Sequence, residues 1–142
     1  MVIKLTKDYK NFAVEIKTMR RISKFSSGRY SCPEVVAYGM ATQNKEVIYA
    51  WMIMPRYGHT LDHIVSKLSL NLTKPSVYDI GIAMLNTLKS VHSAGFVYND
   101  LKLDNLMIGY GQKVYKKTNG CSMFRDCSIH LVDFGFASKF VD

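Results

Sequence analysis

The run YNDLKLDN, residues 98–105, is followed directly by the apolar Leu106, Met107 and Ile108. Carboxylates, an ammonium and an amide therefore stand at the edge of a hydrophobic strand, where desolvating them is costly. The chain repeats the arrangement at HLVDFG, residues 130–135, where an apolar stretch ends on Asp133 before an aromatic residue and a glycine. This repetition constrains the fold more than any other feature. NLMI and IHLV read as two strands of a long-looped β-hairpin, joined by a polar connection from Gly109 to Ser128. Two acids delivered by two strand ends suit a site for a metal and a phosphate.

The elements before the hairpin have clear periodicities. VIKL, residues 2–5, reads as a short strand, and NFAVEIKTMRRISKF places Phe12, Ile16, Met19 and Ile22 at helical spacing. PEVVAYG and VIYAWMIM are β-branched and aromatic, and TQNK between them predicts an antiparallel pair. HTLDHIVSKL reads as helical. A longer helix follows in PSVYDIGIAMLNTLKSVHSAG, with Pro75, a cap formed by Ser76 and Asp79, apolar Ile80, Met84, Leu88 and Val91, and Gly95 at its end.

Composition bounds the setting. The 142 residues are nearly half apolar, which is enough for one core and argues against disorder. The net charge of +8 is uneven, with Lys4, Lys7, Lys10, Lys17, Arg20, Arg21, Lys24 and Arg29 all in the first thirty residues. Such a face attracts acidic surfaces, although most charge runs are a solvated face. Cys32, Cys121 and Cys127 form no C-x-x-C pair, so reduced intracellular thiols are expected rather than a disulfide framework or a zinc site. His59, His63, His92 and His130 share no ligand spacing and read as structural. No apolar run approaches membrane-spanning length, and the start lacks a secretory signal core, so a soluble, cytoplasmic or nuclear chain without a membrane partner is expected.

Phosphoryl transfer needs an acceptor hydroxyl held in line, charge neutralised on phosphate oxygens, and a divalent ion on oxygen ligands. Asp100, Lys102, Asn105 and Asp133 supply a candidate for each task. The D-x-K-x-x-N spacing lets one loop aim Asp100 and Lys102 at the reacting groups while Asn105 turns to the metal.

These residues carry a resemblance. YNDLKLDN is similar to the catalytic loop of eukaryotic protein kinases, VDFG to their metal-binding motif, and MVIK with FAVEIK to their paired strand lysine and helix glutamate. WMIMPRYGHTLDHI and HSAGFV point within that family to the casein kinase I and vaccinia-related kinase group. The resemblance implies an α+β, two-lobe fold: residues 1–54 hold part of the antiparallel N-lobe sheet and its helix, 55–57 the hinge, and 58–142 the start of the helical C-lobe. Four motifs in the family's order are specific, where any one alone is weak.

The resemblance also implies roles. Asp100 is the base that orients the substrate hydroxyl, Lys102 steadies the γ-phosphate of ATP, and Asn105 and Asp133 hold Mg²⁺. Lys4 contacts the α- and β-phosphates and is positioned by Glu15. Met54 stands at the back of the nucleotide site, with Pro55 and Tyr57 on the hinge, and Val2 and Met107 above and below the adenine. Pro55 has no N–H, but the family needs only a carbonyl there, and Tyr57 supplies the donor. The implied activity is Ser/Thr-type transfer of the ATP γ-phosphoryl to protein hydroxyls. Two alternatives stay open: a kinase-like small-molecule phosphotransferase, and a kinase-like fragment that binds partners without catalysis. A protein partner on the basic helix face is expected, and nucleic acid is not.

Three departures qualify the match. Tyr98 and Asn99 stand where the family has His and Arg, so the Tyr98 ring is expected beneath Phe134, and no guanidinium at 99 reads a phosphorylated activation loop. The connection 109–128 is longer than usual and reads as a surface insertion. Three residues precede Lys4 and nine follow Asp133, which reads as a partial domain, roughly half of a kinase catalytic domain. Met84, Leu88 and Val91 are then expected to lose part of their cover.

Overall fold

The computed structural model describes residues 1–25, 30–67, 71–112, 115–116, 121–123 and 128–140. Strand β1 (Val2–Thr6) leads through an Asp8 cap into helix α1 (Tyr9–Ile22). The Asp8 carboxylate accepts the Asn11 N–H at 3.2 Å, satisfying a donor that the first helical turn would otherwise leave open. Phe12, Ile16, Met19 and Ile22 are all buried, as their spacing predicts, and Glu15 and Thr18 are buried with them.

After β2 (Tyr30–Ser31), strands β3 (Ala37–Gln43) and β4 (Glu46–Met54) form a hairpin, and β1 adds to its far side in the antiparallel order β1-β4-β3. The turn falls on Asn44 and Lys45, with φ of 50° and 68°. Two consecutive positive φ values match the right-handed twist of the flanking strands. β3 begins later than PEVVAYG suggests. Pro33 has no N–H to give a ladder, and the chain joins the sheet only at Val36, whose N–H donates to the Ile53 carbonyl at 2.9 Å.

Register sets the direction of each side chain in β1. Lys4 pairs with the fully buried Met52, so both project to the face covered by α1. Its neighbours Ile3 and Leu5 project to the opposite face and are exposed.

Beyond β4 the stretch read as helical yields a π-helical segment at His63–Lys67. Strand β5 (Asn71–Leu72) precedes the long helix α2 (Lys74–Ser93). Its cap is Thr73 rather than Ser76: Pro75 occupies the first turn, where a missing N–H costs nothing, and the Thr73 hydroxyl accepts the Ser76 N–H. Of Met84, Leu88 and Val91, expected to lose part of their cover, Val91 is instead fully buried, Met84 and Leu88 are only partly buried against the core, and Val77, Tyr78, Ile82 and Leu85 carry the more exposed apolar surface. Gly95, at φ 83°, ends the helix as expected.

Strand β6 (Phe96–Val97) leads to a 3₁₀ turn at Leu103–Asn105 and to β7 (Leu106–Ile108). Within the long connection, β8 (Tyr115–Lys116) and β9 (Cys121–Met123) form an antiparallel pair, and β5 joins β9 in parallel. β10 (Ile129–Leu131) pairs with β7 as the predicted hairpin, Leu106 opposite Leu131, and also with β2. β11 (Ser138–Lys139) pairs with β6. Most of the basic middle of the insertion and the side chains of Cys121 and Cys127 lie outside the described residues. Cys32 is buried and takes part in no disulfide among the described residues. Among the described residues no helix is long and apolar enough to cross a membrane.

Candidate active site

The inward register of β1 and the buried edge of α1 bring Lys4 and Glu15 together. Lys4 Nζ lies 2.7 Å from Glu15 Oε1 and 3.1 Å from Asp133 Oδ1. Burial of the ammonium opposes its charge, but the hydrogen bond and attraction of Glu15, then those of Asp133, outweigh it and raise the Lys4 pKa. Three residues separated widely in sequence thus meet around one cation. Asp133 sits at φ 61°, in the left-handed region that Asp and Asn tolerate better than most residues.

Asp100, Lys102 and Asn105 form a second group. Lys102 Nζ lies 2.8 Å from Asp100 Oδ2, and this hydrogen bond, ahead of that from Asn105, lowers the Asp100 pKa and raises that of Lys102. Asn105 is buried, and its Nδ2 donates to the Asp100 carbonyl at 2.9 Å and to Asp100 Oδ2 at 2.8 Å. With the amide nitrogen held by Asp100, the amide oxygen is the atom left to meet a cation.

The hairpin joins the two groups. The Asn105 carbonyl accepts the Val132 N–H at 2.9 Å, so Asn105 and Asp133 lie one residue out of step across adjacent strands. Both offer oxygen donors, which suits a hard divalent cation. Among the described residues no group of three or more His, Cys, Asp or Glu side chains gathers as a metal site. His59 stacks on His63, and His130 stacks on Tyr57 at 4.2 Å, so three of the four histidines have ring partners.

A cleft of about 470 Å³ opens beside these groups. Val2, Lys4, Glu15, Met54, Pro55, Tyr57, Met107 and Asp133, the residues expected to face a nucleotide, all line it. The Gly58 N–H donates to the Ile108 carbonyl at 2.8 Å, which ties the segment after Tyr57 to β7 and fixes the cleft floor. Burial raises the Tyr57 pKa to about 12.

The Tyr98 ring meets Phe134 edge-on, with centroids 5.2 Å apart, as the sequence predicts. Its hydroxyl does what the ring pattern did not reveal: it donates to the Val132 carbonyl, directly before Asp133. Burial, then the charges of Asp133 and Asp100, raise the Tyr98 pKa. Asn99 is a second contributor the pattern missed. At φ 65°, its Nδ2 donates to Ser138 Oγ at 2.9 Å and to the Phe136 carbonyl at 3.2 Å, tying the loop to the segment after Asp133. The available signal was a polar residue next to Asp100 whose amide suits left-handed backbone.

The sequence profile of the protein kinase domain matches residues 1–142. Nucleosomal histone kinase 1 of Drosophila melanogaster is 33% identical over 109 residues, covering 77% of this chain and 16% of that protein. B1 kinase of vaccinia virus (strain Ankara) and B1 kinase of monkeypox virus are each 30% identical over 95 residues, covering 67% of this chain and 27% of each relative. The chain therefore spans well under a third of the length of these relatives.

Proposed function

The chain belongs to the protein kinase domain family, and on that premise we propose that it is the nucleotide and catalytic-loop part of a Ser/Thr protein kinase of the vaccinia-related and casein kinase I-like group. ATP is the proposed donor, Mg²⁺ the metal, and a hydroxyl of a protein the acceptor. A cytoplasmic or nuclear setting goes with this reading. The likeness to nucleosomal histone kinase 1 and B1 kinase supports the group, and Lys102 beside Asp100 supports a Ser or Thr hydroxyl as acceptor.

One observation carries the reading. Lys4, Glu15 and Asp133 meet at one edge of the cleft, while Asp100, Lys102 and Asn105 are linked to Asp133 through the Asn105–Val132 bond. Lys4 would contact the α- and β-phosphates while Glu15 keeps its ammonium in place. Asp100, held ionised by Lys102 and Asn105, would orient the acceptor hydroxyl and take its proton as the new O–P bond forms and the bond from the γ-phosphorus to the β–γ bridging oxygen breaks, with ADP as the leaving group. Lys102 would offer its ammonium to the γ-phosphate. Asn105 and Asp133 would hold Mg²⁺, which when bound screens the charge of the phosphates. Val2 and Met107 would enclose the adenine, Met54 would close the back of the cleft, and the Pro55 carbonyl with the Tyr57 N–H would meet the ring's polar edge.

The test is phosphate transfer from radiolabelled ATP to a peptide library in which each member carries one Ser, Thr or Tyr, with a panel of amino sugars and small alcohols alongside. Mg²⁺-dependent label on Ser and Thr peptides, lost in Asp100→Asn, is the expected result. Label on the small molecules alone would establish the small-molecule phosphotransferase instead. Nucleotide binding with no transfer to any acceptor would leave the chain as a binding module.

A further inference from the structure

A second cavity, about 790 Å³, lies between α1 and the edge strand β3, and it shares only Ile16's helix with the nucleotide cleft. Its rim is basic. Lys17, Arg20, Arg21 and Lys24 all line it, and no acidic residue does so among the described residues. Lys17, Arg20 and Arg21 follow one another at the i, i+3 and i+4 spacing on α1, with Lys17 and Arg21 a like-charged i,i+4 pair, and Lys24 adds a fourth cation from the turn just past the helix end. Such pairs cost helix stability by themselves and concentrate positive potential. None of the four makes an ion pair among the described residues. Arg20 instead lies over the Tyr38 ring, 5.7 Å from its centroid, and donates to the Tyr38 hydroxyl at 3.1 Å.

The floor is apolar. Phe25, Tyr38 and Met40 line the same cavity and are each about half exposed, at 49%, 49% and 50%. Three large side chains left half open in one groove beneath a basic rim are the kind of surface that a partner's apolar side chain covers. A solvated charge face accounts for the cations but leaves the floor unexplained.

We propose that this groove docks an acidic segment of a protein partner that carries a bulky apolar anchor. The anchor covers Phe25, Tyr38 and Met40, and the flanking carboxylates face Lys17, Arg20, Arg21 and Lys24. Charge complementarity selects the acid, and the apolar floor selects a peptide over nucleic acid, whose phosphates would meet the rim and leave the floor uncovered. The inference stands apart from phosphoryl transfer, because no residue of the groove belongs to the proposed catalytic group.

The test uses the full chain without nucleotide and a fluorescein-labelled peptide, Glu-Glu-Phe-Glu-Glu-Leu-Glu, followed by anisotropy. Saturable binding is expected. It should weaken roughly tenfold in the Lys17→Glu/Arg21→Glu variant, weaken in Met40→Ala, which alters the floor and no charge, and stay unchanged in Lys89→Glu on α2. Circular dichroism checks that each variant keeps its helices, and if the double variant unfolds, Met40→Ala decides. The proposal is overturned if the peptide does not bind, if replacing its Phe and Leu by Ala leaves affinity unchanged, or if a short DNA duplex competes equally well, since the last two would mark a surface for any polyanion.

Discussion

Lys4 and Glu15, eleven residues apart, meet at 2.7 Å with the carboxylate side chain only 6% exposed and the ammonium 35% exposed. A buried carboxylate left without its cation is destabilising, and the partial exposure of Lys4 reduces that penalty. Lys4→Met should therefore lower stability by about 1–2 kcal/mol and weaken ATP binding at least about tenfold. Glu15→Gln keeps the shape and the buried hydrogen-bonding capacity, so its loss should fall on nucleotide affinity more than on urea denaturation. Paired urea and ATP titrations of the two variants separate the effects.

Asn105 donates twice to Asp100, once to its carbonyl and once to its carboxylate. Asn105→Ala leaves both acceptors without that donor and removes an oxygen proposed for the metal. A stability loss of about 1–2 kcal/mol is expected, together with a higher Mg²⁺ requirement for phosphate transfer. An unchanged Mg²⁺ titration would remove Asn105 from the metal site.

The Tyr98 hydroxyl ties the residue before Asp133 to the start of the loop. Tyr98→Phe retains the edge-on contact with Phe134 and deletes only this bond, so it should cost about 1 kcal/mol. Amide exchange at the residues flanking Asp133 should quicken in the variant while exchange in α1 does not. Equal acceleration in both would assign the bond to general stability alone.

Four groups set the alkaline behaviour. Lys4, Lys102, Tyr98 and Tyr57 all have raised pKa values in the folded chain, Tyr57 at about 12, with the solvent-exposed Lys102 contributing least. Above the ordinary values, about 10.4 for Lys and about 10 for Tyr, the unfolded chain releases protons that the folded chain retains. Stability is then fully present below about pH 10 and falls as pH rises toward the folded values. Urea midpoints should be flat from about pH 8 to 10 and then drop, and Tyr57→Phe should make the drop shallower.

Much of this arrangement was legible because it rests on local patterns. The 3.6-residue spacing of Phe12, Ile16, Met19 and Ile22 located α1, and the two apolar strands ending on Asn105 and Asp133 located the hairpin. Once the register of β1 turns Lys4 inward, its meeting with Glu15 follows. What stayed hidden depends on contacts with no local signature. The Tyr98–Val132 bond joins residues 34 positions apart through a backbone carbonyl, which any residue could supply. The shift of the α2 cap from Ser76 to Thr73 reflects competition between two hydroxyls around Pro75, both plausible by type. The spacing of Ile80, Met84, Leu88 and Val91 picked out the face of α2 that meets the core, but it gave no sign that Val77, Tyr78, Ile82 and Leu85, equally apolar by type, form an exposed stripe on the same helix.

The central claim is that Asp133 helps form a nucleotide site that depends on a divalent ion. Asp133→Asn isolates it, because asparagine tolerates the left-handed backbone at φ 61° and loses only the charge. Thermal melts of the chain and of this variant, each with ATP alone, Mg²⁺ alone and both together, are the direct measurement. At ligand concentrations about tenfold above Kd the unaltered chain should gain about 1.4 kcal/mol, a rise of several degrees, only with ATP and Mg²⁺ together. The variant should gain little or nothing. The same rise in both proteins, or a rise that needs no Mg²⁺, would contradict the account.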